Sequence, residues 1–461
     1  MQKYSLAVVV SLALGASAAY GQRPATRRVA AATDSIVTTM MKTRHVPGAS
    51  VLLAYGDTPF LAKGYGVADL DDDAPATPQT VYNIGSITKQ FTAAAILQLV
   101  NAGKLKLDDT VNSYLPDAPM LLQPVTVRQL LTHTSGLRPP GALGDRWWSR
   151  RDYTREEWLR ALADYYRGKQ PLFAPGTAWS YGNVNYMALS LLQEKLSGRN
   201  YWDDVVQRFA APLGMSSTAV CDPRVVQKHR ARGYLVDDST AKVFPAPYVT
   251  PTVSLGNAGL CSSVLDLFTW QRALVKHRVL DSATYALMAT PPSLDGAPLD
   301  YALGLMAFPI GSQTMSFHTG GVLGFTGFLG YLPAQDATIV ILTNANSDPL
   351  RIGVELARAV AGVPQPTTQS MSAAQMARYA GTYESEGVKA IVRPKQDELE
   401  AEVIGTGTVR FSFPVRLMKQ NDSTFVVGWE SQSRFVFHLG ASTADSATLS
   451  FGTRTIHMKR D

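Results

Sequence analysis

Cysteine is scarce, with Cys221 and Cys261 the only two in 461 residues. So few exclude a disulfide-built scaffold. They leave two readings open: one bridge, or two small buried hydrophobes. Histidine is also sparse. The seven present are scattered without metal-ligand spacing, which argues against zinc. No glycine-rich nucleotide loop follows a strand pattern, so neither a metal nor any other cofactor is expected. A large excess of one charge is missing too: 43 basic side chains face 37 acidic ones, a net charge of +6. The densest basic stretch, Lys228-His229-Arg230-Ala231-Arg232, is short and has no interleaved aromatics. It reads as a solvated face, and no nucleic-acid partner is expected. The apolar run at the N-terminus is too short to span a bilayer comfortably and no other reaches spanning length, and there is no internal repeat.

What is present is an ordinary globular composition, 46% hydrophobic and 17% charged, long enough for two or three domains. The N-terminus has a short charged head at Gln2-Lys3, an apolar centre from Leu6 to Leu14, and Ala19-Tyr20-Gly21-Gln22 as a small-x-small site. Residues 1–21 are therefore expected to be a signal peptide cleaved after Gly21. No cysteine follows to carry a lipid anchor. The expectation is a periplasmic or secreted protein with no stable membrane span after cleavage.

Ala49–Tyr55 and Phe60–Ala68 read as strands around a Gly56-Asp57 turn. A buried helix follows Lys89 and ends at Asn101-Ala102-Gly103. Residues 105–259 read as helix and loop, with Thr126 as a helix cap and a helix over 186–196. Another helix is expected over 258–274, with Ser262-Ser263 as possible caps and Asp266 in its first turns. Strands return near 301, where 326–332 and 337–344 form a hairpin and a helix over 348–360 closes the unit. Strands at both sequence ends imply one antiparallel sheet, flanked by helices and interrupted by a mostly helical insertion: an α+β fold. Residues 22–362 form this domain, and 363–372, with Pro364 and Pro366, a linker. From 373 to 461 short strands at close spacing predict a small all-β barrel or sandwich.

Three stretches carry chemistry. Ser86-Ile87-Thr88-Lys89 opens a helix, and three residues along a helix is just under one turn, so Ser86 and Lys89 share a face. A buried lysine loses its proton readily and can then take the hydroxyl proton of a serine nucleophile. Tyr181-Gly182-Asn183 supplies a phenol that a neighbouring lysine is expected to acidify. His318-Thr319-Gly320-Gly321 is glycine-rich before a strand. Its backbone allows close approach of a substrate and can present an N–H to a developing oxyanion. His133, in Thr132-His133-Thr134-Ser135-Gly136, is a weaker candidate base. Trp147, Trp148 and Tyr153 are either pocket or packing aromatics.

In this order and spacing, Ser-x-x-Lys, Tyr-x-Asn and His-Thr-Gly resemble the three motifs of the serine β-lactamase and penicillin-binding-protein superfamily, on its class C β-lactamase-like side with esterases and D-peptidases. Leu130–Leu137, Ala211–Met215 and Asn344 also look familial, and the resemblance runs over roughly residues 30–360. It implies that Ser86 is acylated and that Lys89 and Tyr181 act together as base and acid. It further implies that Asn183 bonds Lys89 and a substrate amide, and that the N–H groups of Ser86 and Gly321 form the oxyanion hole. Water then attacks the acyl-enzyme through Tyr181, since the extra glutamate motif of class A enzymes has no match. Where the β-lactamases carry a lysine this chain has His318, which offers no fixed charge to a substrate carboxylate at neutral pH. The expectation is a serine hydrolase acting on esters, D-amino-acid-containing peptides or β-lactams, in falling order. Its substrate is a small molecule or peptide, cell-wall fragments among the candidates. The alternative is a penicillin- or muropeptide-binding sensor that is acylated without turning over.

Overall fold

The computed structural model describes residues 24–139, 152–222, 224–237, 240–247, 249–294, 296–365, 369–385, 387–395, 398–405, 409–410, 412–427, 430–440, 442–451 and 454–461. The expected signal peptide and the Trp147-Trp148 pair lie outside them. Among the described residues no helix is long and apolar enough to cross a membrane.

Helix α1 (Pro24–Arg44) leads into strands β1 (Gly48–Tyr55), β2 (Thr58–Asp69) and β3 (Ala74–Pro75). Then come helices α2 (Thr88–Asn101), α3 (Asn183–Ser197) and α4 (Val264–Val275). Strands β4 (Met306–Ile310), β5 (Gln313–Val322), β6 (Phe325–Leu332) and β7 (Ala337–Thr343) follow, and α5 (Pro349–Ala361) closes the unit. The strands form one sheet in the order β4-β5-β6-β7-β1-β2-β3. The two sequence ends meet where β1 pairs antiparallel with β7, Ala49 opposite Thr343 and Tyr55 opposite Ala337.

Both central strands are apolar at nearly every position, which suits a sheet covered on both faces. Alternation divides them. Leu52, Ala54, Val340 and Leu342 join the core that holds α2, α3 and α4. Val51, Leu53, Ile339 and Ile341 join the core under α1 and α5. Asn344 pins the strand ends together. Its Oδ1 accepts from the Gly48 N–H at 2.7 Å, and its Nδ2 donates to the carbonyls of Val67 and Ala68 at 3.0 and 3.1 Å.

Residues between β3 and β4 are mostly helix and loop. Thr126 caps its helix in a reciprocal capping box with Gln129, and α3 stops at Gly198 in a left-handed conformation. One expected helix is shorter than its apolar pattern. Residues 260–262 form a strand that pairs with Asn83 and Val220, and Ser263 caps α4. Cys221 and Cys261 are bonded across that strand pair. The His-Thr-Gly-Gly stretch stands before the expected strand, β6, and is itself part of a strand, β5.

From Gly381 to Arg460 eight strands close into a barrel, which selects the barrel over the sandwich. Its strands alternate, Val388, Ala390 and Val392 pointing inward and Lys389, Ile391 and Arg393 outward. Tyr383, Phe425, Phe435 and Phe437 pack its interior. Between two barrel strands, the backbone of Val409–Arg410 leaves the barrel and pairs in parallel with Trp179–Ser180 of the α+β unit.

Candidate active site

Ser86 lies in a single 3-10 turn, Gly85–Ile87, that runs directly into α2. The turn needs glycine at its start, because Gly85 has φ +50°. Close approach needs it too. A Cβ on Gly85 would sit 2.5 Å from the Gly321 nitrogen, and one on Gly320 would sit 2.0 Å from the Ile84 carbonyl oxygen. Two glycine-bearing backbones thus lie against each other, and Ser86 is brought beside Gly320 and Gly321. The Gly85 N–H is anchored by Asn83 Oδ1 at 3.0 Å.

Lys89, one turn later, is fully buried. Its Nζ lies 3.0 Å from Ser86 Oγ, 2.9 Å from Asn183 Oδ1 and 2.8 Å from the Asn257 carbonyl oxygen. Burial drives its pKa well below that of an ordinary lysine. A neutral amine has two N–H groups and one lone pair. Asn183 Oδ1 and the Asn257 carbonyl can only accept, so they take the two N–H groups. The lone pair is left to the one partner able to donate, the Ser86 hydroxyl. The geometry that holds Lys89 therefore also aims its basic electron pair at Ser86.

Tyr181 follows the short strand Trp179–Ser180 and precedes Gly182, the cap of α3. Its ring centroid lies 4.9 Å from Lys89 Nζ, and its hydroxyl hydrogen-bonds Ser86. The expected acidification of this phenol is not found. Burial raises its pKa above that of a free tyrosine, and the Ser86 hydrogen bond offsets only part of that. Desolvation is the larger cause, because a phenolate formed inside the protein would lose its hydration. Asn183, the first residue of α3, faces Lys89 as the resemblance implied.

His318 is brought close to this group but is turned to other partners. Its Nδ1 lies 2.6 Å from the Thr319 carbonyl oxygen and its Nε2 3.1 Å from the Tyr301 hydroxyl. Nδ1 therefore donates and Nε2 accepts. Burial first, and then Lys89, bring its pKa down to about 3. The ring is neutral at pH 7 and lends no charge to a ligand.

Three contributors escape sequence reasoning. Asn257 acts through its carbonyl, and the only signal is the glycine-flanked turn Gly256-Asn257-Ala258-Gly259. Tyr301 has no local signal at all. Tyr186, read as one apolar position of a helix, donates to the Leu131 carbonyl at 3.0 Å and puts its ring 5.6 Å from Lys89 Nζ. Tyr153, half-buried, packs against the core under α2.

Residues 33–363 match the family described as Beta-lactamase. The flp protein of Staphylococcus aureus (strain COL) is 29% identical over 326 residues, covering 68% of this chain and 63% of that protein. The chain thus spans less than two thirds of the length of that curated relative. An octameric penicillin-binding protein homologue from Pyrococcus abyssi superposes with a TM-score of 0.67 at 25% identity, over 93% of this chain and 100% of that one. A D-stereospecific amidohydrolase from Streptomyces sp. gives 0.60 at 25% identity, over 72% of this chain and 97% of that one.

Proposed function

The chain belongs to the Beta-lactamase family, and from that premise we propose that it is a serine hydrolase working through an acyl-enzyme on Ser86. The observation that carries this reading is the coordination of Lys89. Two acceptors that cannot donate consume its N–H groups and leave its lone pair to Ser86.

As Ser86 Oγ bonds to the substrate carbonyl carbon, its proton passes to Lys89 Nζ and the carbonyl oxygen becomes an oxyanion. The backbone N–H groups of Ser86 and Gly321 receive that charge. When the tetrahedral species collapses, the bond to the leaving group breaks. The leaving group takes the phenolic proton of Tyr181, which is replaced from the Lys89 ammonium. Water then adds to the acyl carbon, gives its proton back through Tyr181, and releases Ser86 with its hydroxyl restored. Burial supports this order, because it favours the neutral amine of Lys89 and the protonated phenol of Tyr181 before reaction.

The substrates are esters, D-amino-acid-containing peptides or amides, and β-lactams, in falling order. His318 is neutral and engaged by Tyr301 and Thr319. That disfavours ligands whose binding depends on pairing a carboxylate at this position. The D-stereospecific amidohydrolase likeness supports the second class. Export by the N-terminal segment 1–21 would place the reaction in the periplasm or outside the cell.

The test compares wild type with Ser86→Ala on p-nitrophenyl esters, D-Ala peptides and nitrocefin, with a fluorophosphonate label followed by mass spectrometry. The reading expects a transient label on Ser86 and turnover that vanishes in Ser86→Ala. A label that persists without turnover would favour an acylated sensor. Unchanged ester hydrolysis in Ser86→Ala would refute both.

A further inference from the structure

His133 is the buried titratable group nearest Tyr181 that the reaction above does not use. It has a left-handed backbone, φ +60°, and is fully buried. It grips the chain on both sides of Tyr181. The Ser180 N–H donates to the His133 carbonyl at 3.0 Å. The Gly182 N–H, at 3.3 Å, and Asn185 Nδ2, at 2.9 Å, both approach His133 Nδ1. Asn185 Nδ2 also donates to the Gly182 carbonyl at 3.1 Å, and Ser135 Oγ donates to Asn185 Oδ1. The imidazole lies against the Tyr181 ring, centroids 4.5 Å apart.

A backbone N–H can only donate, so Nδ1 has to accept, and the ring proton belongs on Nε2. Nε2 is buried without a hydrogen-bond partner. A ring held by one nitrogen alone, the other without a hydrogen-bond partner, is not a proton relay. It is a clamp on the segment Ser180–Gly182.

We infer that His133 is a positioning residue for Tyr181, holding the phenol against Ser86 by taking the Gly182 N–H on Nδ1 and the Ser180 N–H on its carbonyl. This rests on the acyl-enzyme reading, in which Tyr181 passes the proton to the leaving group.

The test uses the full-length protein, a p-nitrophenyl ester and three substitutions. His133→Leu removes the acceptor. His133→Asn keeps an acceptor at the δ position and suits a left-handed backbone. Tyr181→Phe removes the phenol. His133→Leu is expected to lower kcat about 10- to 100-fold, the size of effect that a misplaced catalytic group produces, with KM within about threefold. His133→Asn should recover most of that kcat. On the Tyr181→Phe background His133→Leu should cost nothing more, because both changes disable one device. The inference is overturned if His133→Leu keeps full kcat, or if its loss persists undiminished in Tyr181→Phe. Should His133→Leu fail to fold, a folded His133→Asn with kcat down more than about tenfold overturns it as well. Unaltered hydrolysis in Ser86→Ala would instead refute the acyl-enzyme reading beneath it.

Discussion

Gly85→Ala tests whether the site depends on two backbones touching. At φ +50° an alanine costs about 1–2 kcal/mol from its own Cβ alone. The new Cβ would also lie 2.5 Å from the Gly321 nitrogen and 3.0 Å from the Gly320 carbonyl carbon. Both are backbone atoms, so no rotamer change relieves the contact. The turn and β5 must separate by about 1 Å, and such overpacking adds about 1–3 kcal/mol. The total is about 2–5 kcal/mol. The same movement pulls Ser86 away from Gly321. A misplacement of about 1 Å at a reacting group costs about 100-fold in rate. Gly103→Ala is the control, since Gly103 has φ +68° and nothing within 4 Å of its would-be Cβ. It should lose about 1–2 kcal/mol and keep its activity. Thermal unfolding and kcat/KM on a p-nitrophenyl ester read both effects. The reasoning fails if Gly85→Ala is no less stable than Gly103→Ala, or if it keeps kcat/KM within about threefold of wild type.

Asn344→Ala should be among the most destabilising single changes outside the site. It removes three hydrogen bonds, two of them buried, orphans the Gly48 N–H, and should cost about 3–5 kcal/mol in urea unfolding. A loss below about 1 kcal/mol would show that the strand ends hold without it. Stability should also fall as the solution is acidified. His318 is neutral when folded down to about pH 3, whereas an unfolded histidine takes up a proton near pH 6.5. Above that pH both states are neutral, and nothing is lost. From there down to about pH 3 the unfolded state binds the extra proton, which costs about 1.4 kcal/mol per pH unit. Melting temperatures from pH 7 to 4.5 should fall less steeply in His318→Gln, and parallel curves would refute the assignment.

How much of this was legible in the sequence depends on how local the cause is. The strand Gly48–Tyr55 shows itself because its burial on both faces requires an unbroken apolar run. The helix around Val127–Leu131 shows itself because Thr126 and Gln129 form the cap within four residues. Leu260–Ser262 was hidden. Its strand character comes from pairing with Asn83, far away in the chain, and its own residues continue a helical apolar pattern. The His-Thr-Gly-Gly strand was hidden too, because glycines lower β propensity and only its neighbours in the sheet make it a strand. Of the site, Ser86, Lys89 and Asn183 were legible as motif positions, and the structure brings them together. Asn257 contributes a backbone oxygen, and a backbone oxygen has no residue-specific signal. The raised pKa of Tyr181 is not legible, because motif spacing reports proximity to a lysine and not how far the phenol is desolvated.

Desolvation bears on the chemistry of the whole site. Before reaction, burial favours the uncharged forms of Lys89, Tyr181, His133 and His318 alike. In the proposed reaction the first charges to appear are the Lys89 ammonium and the substrate oxyanion, and they appear together. In a dry site a fixed positive charge would attract the developing oxyanion, but it would also hold Lys89 protonated more weakly and oppose the transfer of the Ser86 proton. A lysine in place of His318 would bring that compromise, with a carboxylate anchor as its return. A neutral histidine, saturated by Tyr301 and Thr319, gives up the anchor and leaves Lys89 the only cation formed. Stabilisation of the oxyanion then falls to oriented backbone N–H groups, whose positions depend on the contact between Gly85 and Gly321. A site arranged this way should discriminate among substrates by the shape around the carbonyl more than by charge on the leaving side.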